Sequence, residues 1–167
     1  MQNVLITGTG REMALGYNFV LRYLENGDHV IATVRRPSPA LEALKIKYPD
    51  TLDILVMDIG DTASVSAAAE EAAKLVPCLH LIINNAVACS PDINKVLEDC
   101  DLDLIGPAFN VATVGPLRVI KAFLPLLKKA DTTALIAKRG QIALQLLGHV
   151  GHTRRVDILR YENSVTL

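Results

Sequence analysis

The segment NVLITGTGREMALG, residues 3–16, decides the fold of this chain. Its apolar start, Asn3 to Thr7, is typical of a short buried β-strand and stops at a loop that contains glycines. From Ala14 to Asn26 the apolar residues recur at helical spacing, so the loop joins a strand to a helix. Glycines at such a junction let the backbone approach a phosphate, and the positive end of the helix attracts the phosphate charge.

The alternation of strand and helix continues beyond this segment. Gly27 is expected to close the first helix with a positive φ. Further strands are predicted at His29–Val34, Leu52–Met57 and Leu79–Ile83, with helices near 39–47 and 63–75 between them. Strands separated by helices predict a parallel sheet covered on both faces, which is an α/β, doubly wound, Rossmann-like fold.

The pattern changes in the second half of the chain. Phe109 to Lys129 predicts one long helix with a local irregularity at Gly115 and Pro116, and Thr133–Ala137 predicts a fifth strand. Residues 1–137 hold 12 Lys+Arg against 16 Asp+Glu, whereas residues 138–167 hold 5 against 2. We therefore predict a dinucleotide-binding domain over 1–137 and a divergent basic tail over 138–167.

The second strand ends in Thr33-Val34-Arg35-Arg36. An NAD-preferring site usually has an acidic residue here to bind the ribose 2′-hydroxyl, whereas arginine suits a 2′-phosphate. Arg35 and Arg36, together with Arg11 in the glycine loop, could offer forked guanidinium donors to that phosphate. NADP(H) is therefore favoured over NAD(H), the alternative being three solvated surface arginines.

Polar side chains follow the third and fourth strands. Asp58 follows the third strand and Asn84-Asn85-Ala86 ends the fourth. Ligands of open α/β sheets bind at the carboxyl ends of the strands, so these residues are candidates for cofactor contact. Each could instead stabilise a turn, as Asp and Asn commonly do.

The glycine loop, the strand-end Asp58 and the Asn84-Asn85-Ala86 run, in this order, resemble the short-chain dehydrogenase/reductase family over roughly residues 1–137. The resemblance implies that Gly8, Gly10 and Gly16 shape the dinucleotide loop, that Asp58 meets the adenine, and that Asn84 and Ala86 line the ribose and nicotinamide side. The loop is about two residues longer than the family's usual one. The full predicted cofactor set is Thr7, Gly8, Gly10, Arg11, Gly16, Arg35, Arg36, Asp58, Asn84, Asn85 and Ala86.

The family's catalytic residues are not recognisable in this sequence, so the catalytic set is unknown. Ala112 stands where the resemblance implies an Asn, and Asn110 is offset from it by about 200° around a helix. Lys138-Arg139-Gly140 follows the fifth strand where a catalytic Ser is expected. Tyr161 has Val165 where the lysine of Tyr-x-x-x-Lys would fall, and an unassisted phenol of pKa about 10 is a poor acid or base near neutrality.

The tail offers no replacement chemistry. His149 and His152 form an HxxH without further ligands, Ser164 has no recognisable base, and no metal site is predicted. The odd set of cysteines, without CxxC spacing, is expected to be reduced thiols at Cys78, Cys89 and Cys100. The resemblance implies sixth and seventh strands that we do not recognise. An incomplete sheet with an uncovered apolar edge near 133–147, open to self-association, is therefore expected, as from a truncated or frameshifted gene.

The bulk properties limit the partners. The chain has 167 residues, 50% of them hydrophobic, and a net charge of -1, so nucleic acid is not an expected partner. No membrane-length apolar run or basic leader is recognised, which predicts a cytoplasmic protein. The resemblance implies NADP(H)-dependent oxidoreduction of a carbonyl or alcohol, impaired in this chain, with the substrate unidentified. The alternatives are a non-catalytic nucleotide-binding or interaction protein and a non-functional remnant.

Overall fold

A computed structural model describes residues 1–88, 91–92 and 94–131, and the backbone of 133–137 and 156–160. Strands and helices alternate along it. The elements are β1 (Asn3–Thr7), α1 (Leu15–Glu25), β2 (His29–Val34), α2 (Pro39–Lys47), β3 (Leu52–Val56), α3 (Thr62–Leu75), β4 (Leu81–Asn84), α4 (Ile105–Phe109), α5 (Gly115–Leu127), β5 (Thr133–Ala137) and β6 (Val156–Arg160). Two single 3₁₀ turns, Leu97–Asp99 and Leu102–Leu104, precede α4, and a π-helical segment, Asn110–Val114, joins α4 to α5.

The strands form one parallel sheet in the order β3-β2-β1-β4-β5-β6. The strand order reverses between β1 and β4, which is the point where doubly wound sheets leave a crevice at the carboxyl ends of their strands. This arrangement confirms the predicted α/β, Rossmann-like fold.

Helices cover both faces of the sheet because β1, β2 and β4 are apolar on both sides. Val4 and Ile6 pack on one face, in a cluster with residues of α1 and α2, whereas Leu5 packs on the other face with residues of α3 and α5. Phe123 of α5 is fully buried in that second cluster. The uninterrupted apolar runs seen in the sequence are what two-sided burial requires.

Helix α1 ends as the sequence predicts. Gly27 has φ +82°, and its N–H donates to the Leu24 carbonyl at 3.0 Å. The Asp28 N–H then reaches the Tyr23 carbonyl at 3.0 Å, which closes the last turn of the helix. Burial, and then the nearby Asp28 carboxylate, raise the pKa of the Tyr23 phenol above its ordinary value.

The predicted long helix is present as a continuous helical run, and its irregularity is the π-helical segment directly before Gly115. This run, Leu102–Leu127, has 26 residues, and an 18-residue window within it has a mean hydropathy of 1.2, so by length and composition alone it could cross a membrane. Phe123, Leu126 and Leu127 are nevertheless buried against the sheet, as in the core helix of a globular domain.

One expectation about the sheet edge is wrong. Strand β5 is not left uncovered, because β6 pairs with it in parallel from Thr133 opposite Val156 to Ala137 opposite Arg160. The sequence reading missed β6 because this short run of Val, Ile and Leu lies within a stretch of basic composition. The boundary between a domain at 1–137 and a tail at 138–167 stays a prediction, since 138–155 and 161–167 lie outside the described residues.

Candidate functional site

An open groove of about 520 Å³ lies at the carboxyl ends of the central strands. Its size is within the range of small-molecule and cofactor sites. Most of the residues predicted from the sequence to contact a cofactor line this groove: Gly8, Gly10, Arg11, Gly16, Arg35, Arg36, Asp58, Asn85 and Ala86. The topology therefore brings together residues that are far apart in the chain.

Two predicted site residues, Thr7 and Asn84, do not line the groove. Thr7 is fully buried, and its Oγ1 accepts the N–H groups of Asn85 at 3.1 Å and Ala86 at 2.9 Å. Asn84 is also buried, and neither polar atom of its side chain has a hydrogen-bond partner among the described residues. Thr7 thus holds the end of β4 in register with β1 and supports the floor of the groove.

Two glycines of the loop are required for different reasons. Gly8 has φ +72°, and a Cβ there would lie 2.6 Å from the Ala86 Cα. Gly16 has an ordinary φ, but a Cβ there would lie 2.4 Å from the Gly8 carbonyl oxygen and 2.5 Å from Asn85 Nδ2. The absence of side chains therefore lets the start of α1 lie directly on the loop, with Asn85 Nδ2 donating to the carbonyls of Thr7 and Gly8 at 3.0 Å.

Two hydroxyl groups that the sequence analysis did not single out fix the loop to β2 and α2. Thr9 is fully buried, and its Oγ1 donates to the Thr33 carbonyl at 3.1 Å. Ser38 Oγ donates to the Gly10 carbonyl at 3.0 Å and accepts the Leu41 N–H at the start of α2. A Ser directly before a helix signals an N-cap, but its second bond to the glycine loop has no local signal.

The loop end of the groove is electropositive. No side chain caps the N-terminus of α1, and its first turn holds no acidic residue, so its N–H groups point toward the loop without a competing protein acceptor. Arg11, Arg35 and Arg36 are exposed, and none pairs with a carboxylate within the part of the chain that the structure describes. This end can therefore attract a phosphate-bearing ligand.

Asp58 lines the groove after the end of β3, the strand next to β2. Its Oδ1 accepts the Gly60 N–H at 2.8 Å, and its own N–H donates to Ser64 Oγ at 2.9 Å. Its second carboxylate oxygen makes no hydrogen bond to a described residue, so it can accept one from a ligand. Ile59 and Val111 form an apolar surface beside the carboxylate.

The remaining lining residues were not predicted. They are Ala14, Leu15, Thr33, Val34, Pro37, Met57, Ile59, Val87 and Val111. Most are apolar and shape the wall by their backbone position, so residue type does not distinguish them from the core.

Comparison with known proteins fits this geometry. The family model described as short chain dehydrogenase matches residues 2–144. The chain belongs to the short-chain dehydrogenase family. Among curated proteins, this short-chain dehydrogenase is 32% identical over 137 residues to the short chain dehydrogenase tazN of Aspergillus terreus, covering 78% of this chain and 28% of the relative. It is 25% identical over 171 residues to human short-chain dehydrogenase/reductase 3, covering 99% of this chain and 55% of the relative.

Solved structures agree with the sequence comparisons. NADPH-bound carbonyl reductase from chicken fatty liver matches with a TM-score of 0.75 at 28% identity, covering 90% of this chain and 62% of that chain. A short-chain dehydrogenase/reductase from Burkholderia multivorans with bound NADP matches with a TM-score of 0.71 at 25% identity, covering 83% and 58%. By length, this short-chain dehydrogenase spans about half of human short-chain dehydrogenase/reductase 3 and a smaller share of tazN.

In this short-chain dehydrogenase the structure describes the position where a catalytic Asn is expected, and Ala112 occupies it. Ala112 lies in the π-helical segment and has no polar side-chain atom. The Asn110 amide is engaged elsewhere, because Nδ2 donates to the Gly60 carbonyl at 3.0 Å and Oδ1 accepts from Arg118 Nη2 at 2.7 Å. The two-residue offset therefore directs Asn110 to the turn after β3.

Several other predicted positions lie outside the described residues: Cys89, Lys138, Arg139, Gly140, His149, His152, Tyr161 and Ser164. Cys78 and Cys100 are free, half-buried thiols. Over residues 1–88, 91–92 and 94–131, no group of three or more His, Cys, Asp or Glu side chains could hold a metal ion.

Proposed function

We propose that this short-chain dehydrogenase binds NADP(H) in the groove. The observation that carries the proposal is the set of exposed arginines, Arg11, Arg35 and Arg36, which line the groove beside a glycine loop. None of them forms an ion pair with a carboxylate among the described residues. A 2′-phosphate is a dianion that the forked guanidinium donors of arginine match in geometry. A 2′-hydroxyl would gain little from the same groups.

The remaining groove residues suit the rest of the dinucleotide. The bare backbone at Gly8 and Gly16, below the uncapped start of α1, suits the pyrophosphate. Asp58, with one carboxylate oxygen available beside Ile59 and Val111, suits the adenine amino group and ring. Ala86, with Asn85 before it in the chain, lines the groove and suits the ribose and nicotinamide side. When bound, the cofactor supplies the hydride chemistry, and this chain's residues hold and orient it.

We further propose that the family reaction, oxidoreduction of a carbonyl or alcohol, is impaired in this chain. Two solved relatives hold NADPH or NADP, and one of them is a carbonyl reductase. Proton delivery is the weak step here, because the Ala112 side chain has no donor or acceptor for a relay water and none of the tyrosines is followed by Lys at the fourth position. A non-catalytic dinucleotide-binding or interaction protein is the second candidate, favoured by the Asn110 amide being committed to Gly60 and Arg118. A cytoplasmic location remains a prediction.

Binding of NADPH and NADH to matched variants tests the cofactor proposal. We expect the parent chain to bind NADPH more tightly than NADH, measured by cofactor fluorescence. Replacing both Arg35 and Arg36 by Ala should weaken NADPH about 10- to 100-fold, because hydrogen bonds to charged groups contribute about 1.5–3 kcal/mol. NADH binding should change little.

Arg22→Ala is the control, since Arg22 is an exposed arginine on α1 that does not line the groove. Equal affinity of the parent chain for the two cofactors would end the NADP preference. Absence of any binding would end the proposal and favour a non-functional remnant. Turnover of a carbonyl panel with NADPH at rates typical of enzymes would contradict the impairment.

A further inference from the structure

Arg118 of α5 makes a set of contacts that fasten this helix to the turn after β3. Its Nε donates to Thr62 Oγ1 at 3.0 Å, and its Nη1 donates to the Ile59 carbonyl at 3.3 Å. Its Nη2 donates to Asn110 Oδ1 at 2.7 Å, and Asn110 Nδ2 in turn donates to the Gly60 carbonyl at 3.0 Å. We call Arg118 and Asn110, with the turn atoms they hold, the β3–α5 clamp.

The turn inside the clamp is the one that aims Asp58. The Gly60 N–H holds Asp58 Oδ1 at 2.8 Å, and the Asp61 N–H bonds the Asp58 carbonyl at 3.1 Å. The packing is close, since a Cβ on Gly60 would lie 3.2 Å from Val111 Cγ2. A shift of this turn therefore moves the Asp58 carboxylate relative to Val111.

The clamp also accounts for the π-helical winding of Asn110–Val114. A π-helical segment is rare and costs helix geometry, so it needs compensating contacts. The winding lets Asn110 meet Gly60 and Arg118 while its neighbour Val111 lines the groove. One segment thus supplies both a polar contact to the turn and an apolar wall for the ligand.

We propose that Arg118 and Asn110 are positioning residues for recognition of the adenine base. Neither lines the groove, and both act through the turn that carries Asp58 and through Val111. The inference rests on the proposed NADP(H) function and on the contact proposed there between Asp58 and the adenine amino group, and it adds the residues that hold Asp58 in place for that contact. The group recognised is a hydrogen-bond donor, because the available Asp58 oxygen can only accept when ionised.

The test compares NADPH with its hypoxanthine analogue, in which a carbonyl oxygen replaces the adenine amino group. The parent chain should bind NADPH about tenfold or more tightly than the analogue, since the analogue cannot donate to Asp58 and places an acceptor against the carboxylate. In Arg118→Met and in Asn110→Ala this ratio should fall several-fold toward one. Asp58→Ala removes the acceptor, so it should bring the affinity ratio to about one, which is the lowest value expected for any of these variants.

Lys121→Met is the matched control, because Lys121 is an exposed cation one helical turn further along α5. It should leave the ratio unchanged. A second measurement needs no ligand: hydrogen exchange at the Gly60 and Asp61 amides should be faster in Arg118→Met than in the parent or in Lys121→Met. Exchange within β1 should be the same in all three.

The two proposals fail in different ways. If the parent binds NADPH and Arg118→Met keeps the parent's base discrimination and Gly60 exchange, the clamp has no positioning role and the cofactor proposal stands. If the parent binds neither NADPH nor the analogue, the adenine inference falls together with the proposed function.

Discussion

At the scale of single residues, the site depends on where side chains are missing as much as on where they are present. Gly8 occupies a backbone region that L side chains rarely adopt, whereas Gly16 has ordinary helical geometry and is required only for space. The two positions look alike in the sequence. Their different physical roles lead to different expectations for the same substitution.

Gly16→Ala isolates the effect of crowding. The new Cβ would meet the Gly8 carbonyl and Asn85 Nδ2, so α1 must move away from the loop. We expect the free energy of unfolding to fall by about 1–3 kcal/mol, as for overpacked sites, and NADPH binding to be lost. Gly106→Ala is the control, because Gly106 is also helical and a Cβ there meets nothing within 4 Å. Denaturant unfolding and cofactor fluorescence measure both. Gly16→Ala as stable as Gly106→Ala would contradict the close approach.

Residue chemistry explains which site residues the sequence could reveal. Arg35, Arg36 and Asp58 are charged residues at strand ends, where the fold class itself assigns ligand contacts. Thr9 and Ser38 were missed because each makes its decisive hydrogen bond to a residue 24 or 28 positions away. Arg118 was missed for the same reason, since its partners Ile59 and Thr62 lie 59 and 56 positions away. Contacts of this kind have no local pattern.

At the scale of elements, periodicity predicted the helices and strands closely but not their internal geometry. The bounds of β1, β2, α2 and β5 agree with the sequence prediction, because apolar spacing reports burial directly. The π-helical winding of Asn110–Val114 could not be predicted. Its first residue, Asn110, makes hydrogen bonds to Gly60 and Arg118, and the contact with Gly60 has no local pattern in the sequence.

In the described part of the segment between β4 and α4, the buried carboxylate of Asp92 bonds to groups further along the chain. Asp92 Oδ2 accepts the Asp101 N–H at 2.8 Å, and Oδ1 pairs with Lys95 at 2.9 Å. The hydrogen bond from the Asp101 backbone, and then the one from Lys95, lower the pKa of Asp92 below its ordinary value of 3.8. Its contribution to stability is therefore complete above pH 3.8 and is lost as the pH falls through the lowered pKa.

Asp92→Asn should loosen this segment near neutral pH. Asn keeps an acceptor but loses the charge, so hydrogen exchange at the Asp101 amide should become several-fold faster than in the parent. The difference should shrink only as the pH falls through the lowered pKa of Asp92, because the parent carboxylate then becomes neutral as well. Asp99→Asn, at an exposed position of the same segment, should behave like the parent. A parent–variant difference that persists after the parent carboxylate has been protonated, as followed by the titration of Asp92 itself, would contradict the assigned role of the charge.

At the scale of the whole molecule, the strand order follows from a few apolar runs and general rules of chain connection. Parallel strands joined by helices, with right-handed crossovers, leave few arrangements, and the order β3-β2-β1-β4-β5-β6 is one of them. The sequence prediction was wrong at the edge of the sheet that β6 forms beside β5. Basic composition in 138–167 outweighed the short apolar pattern of Val156–Arg160, whose backbone pairs in parallel with β5.

Strand β6 covers the hydrogen-bonding edge of β5, so its removal should change how the chain associates. A chain ending at residue 155 would lose β6 and expose the hydrogen-bonding groups of β5, which then become a template for pairing with another chain. We expect this truncated chain to self-associate, as measured by size-exclusion chromatography with light scattering at increasing concentration. A chain ending at residue 160 keeps β6 and should match the 167-residue chain in its oligomeric state. If the two shortened chains associate equally, β6 does not protect the edge of β5. If only the shorter chain associates, the five residues of β6 are sufficient to prevent self-association at that edge.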